Sequence, residues 1–234
     1  MASSEIKPIT MPGVHSRVYR YLQKYMAPSR QADILDVGAG HGAFSLRLHE
    51  DGYRVSACDF MPDHFHVEGI ECRWADVTKA LPYEDASFDV VMVIEVMEHV
   101  HDHQVLFEEC YRVLRPGGML FFSTPNIMSL KSRWRFLFCG YFYAFKPLDY
   151  ARTDGLQHTA SLTVDQYRHL AVSSGFERIE LDIDKRQKSS RLLAFLIPFI
   201  RLSSWRKGYP YQLHNRYDLL TGRLLFFRLH KPSR

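Results

Sequence analysis

Three glycines that alternate with other residues follow a short apolar run near the start of the chain. The run reads Ile34-Leu35-Asp36-Val37-Gly38-Ala39-Gly40-His41-Gly42. Such a pattern is typical of a buried strand that leads through a tight loop into a helix, because glycine adopts turn conformations and lets a ligand approach the backbone closely. The pattern therefore predicts an α/β fold with a ligand-binding loop after its first strand.

One acid in this run argues against a dinucleotide as the ligand. Gly38, Gly40 and Ala43 satisfy the loose G-x-G-x-x-G/A pattern of dinucleotide-binding loops. Asp36, however, lies two residues before the first glycine, where a carboxylate would repel a pyrophosphate. A cationic ligand is favoured instead.

The run resembles motif I of the class I S-adenosylmethionine-dependent methyltransferases, whose cofactor carries an ammonium and a sulfonium group but no phosphate. Further landmarks follow in the family's order between residues 33 and 126. They are a strand over 53–58 that ends in Asp59, a segment over 71–75 that ends in Asp76-Val77, a strand over 87–94, the turn Leu114-Arg115-Pro116-Gly117-Gly118 and a strand over 119–123. The ordered set is more specific than any one of these landmarks.

The resemblance implies that the cofactor is bound by the glycine loop and by the ends of the following strands. Asp59 would accept hydrogen bonds from the ribose hydroxyls, and Asp76 with Val77 would contact the adenine. The predicted cofactor-binding residues are Asp36, Gly38, Ala39, Gly40, Gly42, Asp59, Phe60, Asp76, Val77, Ile94 and Glu95.

The same resemblance implies a Rossmann-like sheet of seven mostly parallel strands, with one antiparallel strand and helices on both faces. The 234 residues suit a single domain. We predict helices over 12–26, 43–49, 102–114 and 163–174, a sixth strand over 176–184 and a seventh over 224–230. Within the domain 1–234 we distinguish an N-terminal helix or cap (1–30), the cofactor-binding core (31–126), an aromatic insertion (127–158), a helix and strand (159–184) and a basic C-terminal segment with the final strand (185–234).

Candidate catalytic residues follow the predicted fourth strand, in Glu95-Val96-Met97-Glu98-His99. If a helix begins where that strand ends, both glutamates and His99 share one helical face. This E-x-x-E-H run resembles that of ubiquinone-biosynthesis O-methyltransferases and of small-RNA 2′-O-methyltransferases, in which it contributes to a divalent-metal site. His158 matches the histidine that completes the site in the RNA enzymes. The resemblance implies a site for Mg²⁺, Mn²⁺, Fe²⁺ or Co²⁺ made of Glu95, Glu98, His99 and His158, although other family members use Glu-His only as a base or to shape the pocket.

Methyl transfer from a sulfonium requires alignment of the reactants and removal of the acceptor's proton. His99 or His158 could accept that proton from a hydroxyl, with Glu98 as the third catalytic candidate, or a metal could stabilise the alkoxide. The Asn/Asp-Pro-Pro-Tyr-like motif of N-methylating families is absent from the sequence. We therefore predict an O-methyltransferase for a hydroxyl of a small-molecule, glycan or lipid-linked acceptor. The alternatives are an RNA 2′-O-methyltransferase and a non-catalytic subunit that binds S-adenosylmethionine.

The C-terminal segment is strongly basic. Residues 185–234 hold 12 Lys and Arg against one acid, Asp218, and the apolar run 192–200 lies between Arg191 and Arg201. Cations around an apolar run suit an anionic membrane surface or a lipid-linked substrate, but a solvated basic face has the same composition. Nucleic acid is the less favoured partner, because no RNA-binding module is recognisable in the sequence. The oligomeric state stays open.

An aromatic insertion between the fifth strand and the next helix contains Trp134, Phe136, Phe138, Tyr141, Phe142, Tyr143 and Phe145. It fits either a lid over the ligand crevice or a small separate core. The four cysteines contain no C-x-x-C pair, which indicates neither a disulfide framework nor a zinc site. With no apolar stretch near the roughly 18 residues of a spanning helix, the sequence predicts a cytoplasmic protein that contacts membranes at most peripherally.

Overall fold

A seven-stranded sheet forms the centre of the computed structural model, which describes residues 6–25, 31–152 and 154–234. The strands are β1 (Asp33–Val37), β2 (Arg54–Asp59), β3 (Cys72–Trp74), β4 (Phe88–Ile94), β5 (Leu114–Pro125), β6 (Arg178–Ile183) and β7 (Leu224–His230). Their spatial order is β3-β2-β1-β4-β5-β7-β6. The strand β7 runs antiparallel to both β5 and β6, while β1 to β5 pair in parallel. The predicted fold class is confirmed.

The helices begin near the predicted positions where a capping residue marks their start. They are α1 (Val14–Leu22), α2 (Ala43–Glu50), α3 (His103–Val113), α4 (Leu130–Cys139), α5 (Val164–Ser173), α6 (Ile197–Lys207), α7 (Tyr211–Asn215) and α8 (Tyr217–Thr221). Asp102 accepts a hydrogen bond from the Val105 amide at the start of α3, and Thr163 forms a capping box with Gln166 at α5. Three further segments, Pro62–His64, Met97–His99 and Lys188–Leu196, are 3₁₀ helices.

Alternate residues of the central strands face opposite sides of the sheet. In β4, Val90 and Met92 pack with α1 and α2 on one side, whereas Val91 and Val93 pack with α3 and α5 on the other. A parallel strand covered by helices on both faces is apolar at most positions, which explains the continuous apolar run over residues 90–94 of β4. The helices on both faces hold the ends of β1 and β4 in place.

Two predicted boundaries differ from the structure. Helix α1 ends at Leu22 rather than at Met26, and residues 1–5 and 26–30 of the predicted cap lie outside the described residues. The predicted turn over 114–118 belongs to β5. Its pairing with β4 shifts register between Phe88 and Val90, because the extra residues bulge out of the ladder around Gly117, whose φ is 80°.

The aromatic insertion forms helix α4, which packs beside the 3₁₀ helix Lys188–Leu196. Of the ten residues of α4, only Leu130 and Ser132 are buried, while Trp134, Phe136 and Phe138 are exposed. The interpretation of this insertion as a small buried core is therefore wrong: the helix has too few neighbours to cover its aromatic side chains.

Candidate active site

A cavity of about 640 Å³ opens at the carboxyl ends of β1, β2 and β4. The strand order reverses between β1 and β4, and open α/β sheets bind ligands at such a position. The predicted cofactor residues that line the cavity are Asp36, Gly38, Ala39, Gly40, Asp59, Phe60, Asp76, Val77, Ile94 and Glu95. Gly42 is not in this lining. It precedes α2 with a φ of 86°, and a Cβ there would lie 2.5 Å from Val67 Cγ2, so its place is in the packing behind the loop.

Gly38 brings the loop after β1 close to the loop after β4. Its amide donates a hydrogen bond of 2.8 Å to the carbonyl of Cys58, and its φ is 73°. A Cβ at this position would lie 2.4 Å from Cγ2 of Val96. Both the backbone conformation and the close approach of Val96 therefore require glycine here.

Asp59, the last residue of β2, accepts hydrogen bonds from two loops at the cavity. One carboxylate oxygen accepts a hydrogen bond of 2.9 Å from the amide of Gly40, and the other accepts one of 2.8 Å from the amide of Met61. Because a carboxylate has about four acceptor positions, Asp59 keeps capacity for hydroxyl groups of a ligand.

Asp36 is buried in β1 and also lines the cavity. The Ser45 hydroxyl donates a hydrogen bond of 2.6 Å to its carboxylate, but this partner is neutral. Burial raises the pKa of Asp36 to about 6. A cation in the cavity would compensate this carboxylate and lower its pKa again, so the environment of Asp36 favours a cationic ligand.

The segment after β4 is not the predicted helix. Glu95 has a left-handed backbone with a φ of 55°, and the helical turn that follows covers only Met97–His99. The side chain of Glu95 turns to β5, where the Ser123 hydroxyl donates a hydrogen bond of 2.9 Å to it. The prediction that Glu95, Glu98 and His99 share one helical face is therefore wrong, because the strained residue at the strand end redirects the chain.

Three of the four predicted metal or catalytic residues nevertheless converge. Glu98, His99 and His158 each offer a ligand atom within 4.8 Å of the others. The rings of His99 and His158 have centroids 4.9 Å apart, and His158 Nε2 lies 4.0 Å from Glu98 Oε1. Glu95 lines the same cavity but lies outside this group. We call Glu98, His99 and His158 the polar cluster.

The hydrogen bonding of the polar cluster favours a histidine that can accept a proton. His99 Nδ1 lies 2.9 Å from the carbonyl oxygen of Gln157, and since a carbonyl only accepts, Nδ1 donates. In the neutral ring Nε2 then carries the free lone pair. Burial lowers the pKa of both His99 and His158, and burial raises the pKa of Glu98. Near neutral pH both imidazoles are therefore uncharged.

The cavity also includes residues of the predicted N-terminal cap and of the aromatic insertion, although no motif in the sequence marks them individually. The N-terminal segment 8–11 and His15 form one wall, and Arg152, Asp154 and Leu156 form another. Burial lowers the pKa of His15 to about 4, so this ring is neutral. No local pattern marks these residues, because they reach the site only through the packing of distant segments.

Comparison with known proteins agrees with this geometry. Residues 35–122 match a family model described as a methyltransferase domain. The chain is 33% identical over 129 residues to a probable S-adenosylmethionine-dependent methyltransferase of Mycolicibacterium smegmatis, covering 50% of this chain and 49% of that protein. It is 35% identical over 115 residues to a ubiquinone biosynthesis O-methyltransferase of Xylella fastidiosa, covering 45% and 46%. The chain spans about half the length of these relatives.

Solved structures share the fold over nearly the whole chain. An S-adenosylmethionine-dependent methyltransferase from Archaeoglobus fulgidus superposes with a TM-score of 0.59 at 18% identity, covering 93% of both chains. Phosphoethanolamine N-methyltransferase 2 of Haemonchus contortus gives a TM-score of 0.60 at 18% identity, covering 96% of this chain and 54% of that one. At this level of identity the likeness concerns the fold alone.

Proposed function

Because this chain carries a methyltransferase domain of the class I S-adenosylmethionine-dependent family, we propose that it transfers the methyl group of S-adenosylmethionine to a hydroxyl oxygen. The proposal of oxygen as the methyl acceptor rests on the polar cluster, which lies on the wall of the cavity. A hydroxyl is a poor nucleophile until it loses its proton, and a neutral imidazole accepts that proton. The acceptor is a small molecule, a glycan or a lipid-linked compound.

Some residues around the cavity bind the cofactor, and others bind and deprotonate the acceptor. Asp59 accepts hydrogen bonds from the ribose hydroxyls, and Asp36 favours the positive charge of the cofactor. His99 takes the acceptor's proton on Nε2, while the Gln157 carbonyl fixes the orientation of its ring. His158 and Glu98 border this position and orient the acceptor hydroxyl. Alignment of the acceptor oxygen with the methyl carbon and sulfur supplies on the order of 7–11 kcal/mol of the barrier reduction.

The donor set of the polar cluster also fits a divalent metal ion. Glu98 Oε2 and His158 Nδ1 are buried and lack a hydrogen-bond partner within the described residues. Two imidazoles and one carboxylate suit Mn²⁺, Fe²⁺ or Co²⁺ better than Mg²⁺, which prefers oxygen ligands. Glu98, His99 and His158 would hold such an ion, which would stabilise the acceptor's alkoxide when bound. The hydrogen bond of His99 to the Gln157 carbonyl leaves Nε2 free for either role. We take the base role as the proposal because it needs only groups that the chain itself supplies.

A methyl-transfer assay tests both the function and the role of the polar cluster. The protein is incubated with S-adenosylmethionine labelled in the methyl group and a panel of catechols, sugars and polyprenyl phenols, with and without a chelator. We expect labelled methyl ether and turnover that persists in chelator. Turnover that stops in chelator and returns with Mn²⁺ would instead assign the cluster to a metal. Binding of S-adenosylmethionine without transfer to any hydroxyl would contradict the proposed reaction and favour a non-catalytic subunit.

Replacing Asp59 is expected to weaken the cofactor complex. Asp59→Ala removes the acceptor for the ribose hydroxyls and the link between the Gly40 and Met61 amides. Lost hydrogen bonds to a charged group cost about 1–3 kcal/mol, which should be visible in the Kd for S-adenosylmethionine by titration calorimetry. Asp59→Asn, which keeps one acceptor oxygen, should lose less. Tight binding of NAD with no binding of S-adenosylmethionine would refute the cofactor assignment.

A further inference from the structure

Two neighbouring helical segments leave many of their large apolar side chains exposed. Helix α4 lies against the segment 188–207, with the ring of Trp134 6.3 Å from that of Phe195. Exposed side chains on these segments include Leu137 (74%), Phe138 (68%), Leu192 (80%), Phe199 (68%) and Trp205 (78%). We call residues 130–139 and 188–207 together the α4–α6 face. Leu137 and Phe199 line one groove between the segments, and exposed apolar surface shared by two segments in this way marks a site of interaction.

Helix α6 shows most clearly that the described residues leave this surface uncovered. It has eleven residues, among them Phe199, Ile200, Leu202 and Trp205, yet none of its residues is buried. Its apolar side chains project to several sides of the helix rather than forming one apolar stripe. Most helical stability in proteins comes from packing of apolar side chains, and an apolar environment outside the described residues would supply packing that the described residues do not.

The charges of the α4–α6 face identify the chemistry of the partner. Neither segment contains Asp or Glu, and both contain cations. These cations are Lys131, Arg133, Arg135, Lys188, Arg191, Arg201, Arg206 and Lys207. Aromatic and aliphatic side chains interspersed with Lys and Arg are typical of segments that lie in the headgroup region of an anionic bilayer. RNA would be attracted by the same cations, but it offers no hydrocarbon for Leu137, Leu192 and Phe199.

A groove of about 410 Å³ lies between α4 and α6, and it is lined by apolar side chains and by a cation. Its walls include Leu137, Phe199 and Ile200, and Arg133 lies beside them. Arg133 donates hydrogen bonds to the Met128 carbonyl at 2.8 Å and to Asn215 Oδ1 at 2.6 Å. Both acceptors are neutral, so they leave the positive charge of the guanidinium uncompensated. An apolar groove with such a cation suits a lipid whose phosphate meets Arg133.

A row of aromatic rings connects the α4–α6 face with the active-site cavity. The ring of Phe136 on α4 stacks on that of Phe142 at 4.6 Å. Phe142 lies 6.2 Å from Phe145, and Phe145 lies 5.5 Å from His158 of the polar cluster. The insertion that carries the exposed aromatics therefore also contributes to the environment of the polar cluster through His158.

We propose that the α4–α6 face docks on an anionic lipid bilayer and that the acceptor is lipid-linked and reaches the cavity from that bilayer. The second half rests on the proposed methyl transfer, whereas the docking does not. No described helix is long and apolar enough to cross a bilayer. The proposed contact is a peripheral one. The apolar side chains enter the headgroup region while the cations meet lipid phosphates.

Sedimentation with vesicles of phosphatidylcholine and phosphatidylglycerol tests the docking without any acceptor. We expect the protein to bind at low salt, to dissociate at high salt and to bind pure phosphatidylcholine weakly. The triple variant Arg191→Glu, Arg201→Glu, Arg206→Glu should lower the partition coefficient by on the order of 100-fold, since each cation contributes about one factor of five to ten. The double variant Phe199→Ser, Trp205→Ser should also lose binding although its charge is unchanged.

A matched control keeps the comparison specific to this face. Lys24→Glu, Arg168→Glu, Arg178→Glu reverses three exposed cations on other elements and should retain most of the binding. Melting curves of all variants check folding. Wild-type protein that stays in the supernatant, or an apolar double variant that binds as the wild type does, would overturn the docking. Binding of RNA by the α4–α6 face, or dimerisation of the chain through it, in place of vesicle binding would also overturn the docking.

A second measurement separates this proposal from the proposed reaction. Methyl transfer to a water-soluble hydroxyl compound needs no bilayer and should survive in the triple variant. Transfer to a polyprenyl phenol in anionic vesicles should fall in that variant together with vesicle binding. Equal rates of the wild type and the triple variant on the vesicle-borne phenol would overturn the lipid-linked acceptor.

Discussion

We expect His99→Ala to lower kcat by about 10²–10⁴-fold, the usual contribution of a positioned general base. The Kd for S-adenosylmethionine should stay unchanged, because the proton is taken from the acceptor rather than from the cofactor. Single-turnover kinetics with labelled cofactor would measure the first quantity and titration calorimetry the second. His101→Ala is the matched control, since His101 is exposed two residues away in the same segment.

The pH dependence distinguishes a base from a residue that only shapes the pocket. Burial holds the pKa of His99 below its usual 6.5. The neutral, proton-accepting form therefore persists as the pH falls to 6.5, and kcat should drop only at lower pH. This acid limb should disappear in His99→Ala, and added imidazole should restore part of the activity. If His99→Ala keeps the fall of kcat at low pH and gains no activity from added imidazole, His99 is not the base.

The second large effect is expected at the glycine loop. Gly38→Ala would place a Cβ 2.4 Å from Val96 Cγ2 at a residue whose φ is 73°. The left-handed conformation costs a non-glycine residue about 1–3 kcal/mol, and overpacking adds about 1–3 kcal/mol more. Relief of the overlap must turn the Val96 side chain or displace the loop after β1 or the loop after β4, and both loops line the cavity. We expect a lower Tm and at least about a tenfold rise in the Kd for S-adenosylmethionine.

Gly140→Ala separates the cost of backbone strain from the cost of steric overlap in Gly38→Ala. Gly140 ends α4 with a φ of 72°, but a Cβ there meets no atom within 4 Å among the described residues. This variant should show the backbone strain as a modest loss of stability and keep its affinity for the cofactor. If both variants lose cofactor affinity equally, the contact between Gly38 and Val96 is not what shapes the loop.

The strands along the chain and the cofactor side of the site could be predicted from sequence because their signals are local. A strand buried on both faces is mostly apolar, as in residues 90–94 of β4, and a tight loop beside a ligand needs glycine, as at Gly38. Ten of the eleven predicted cofactor residues line one cavity. They do so because the carboxyl ends of parallel strands meet at one edge of the sheet.

The acceptor side of the site depended on contacts between segments distant in sequence. A regular helical register predicted that Glu95 joins Glu98 and His99, but its left-handed backbone and its hydrogen bond with Ser123 turn it away. His158 reaches His99 across 59 positions, and the orientation of the His99 ring is set by the Gln157 carbonyl. Residue spacing carries no information about such contacts.

The sequence by itself determined the α/β fold, the position of the cofactor loop and the presence of a basic, apolar C-terminal segment. Only the tertiary structure decided which side chains of that segment are covered. It placed α4 beside residues 188–207 and left α6 without a buried residue, so two stretches about 60 positions apart form one cationic and apolar face. The physical reason is that burial depends on which elements become neighbours, whereas composition records only what each element could bury.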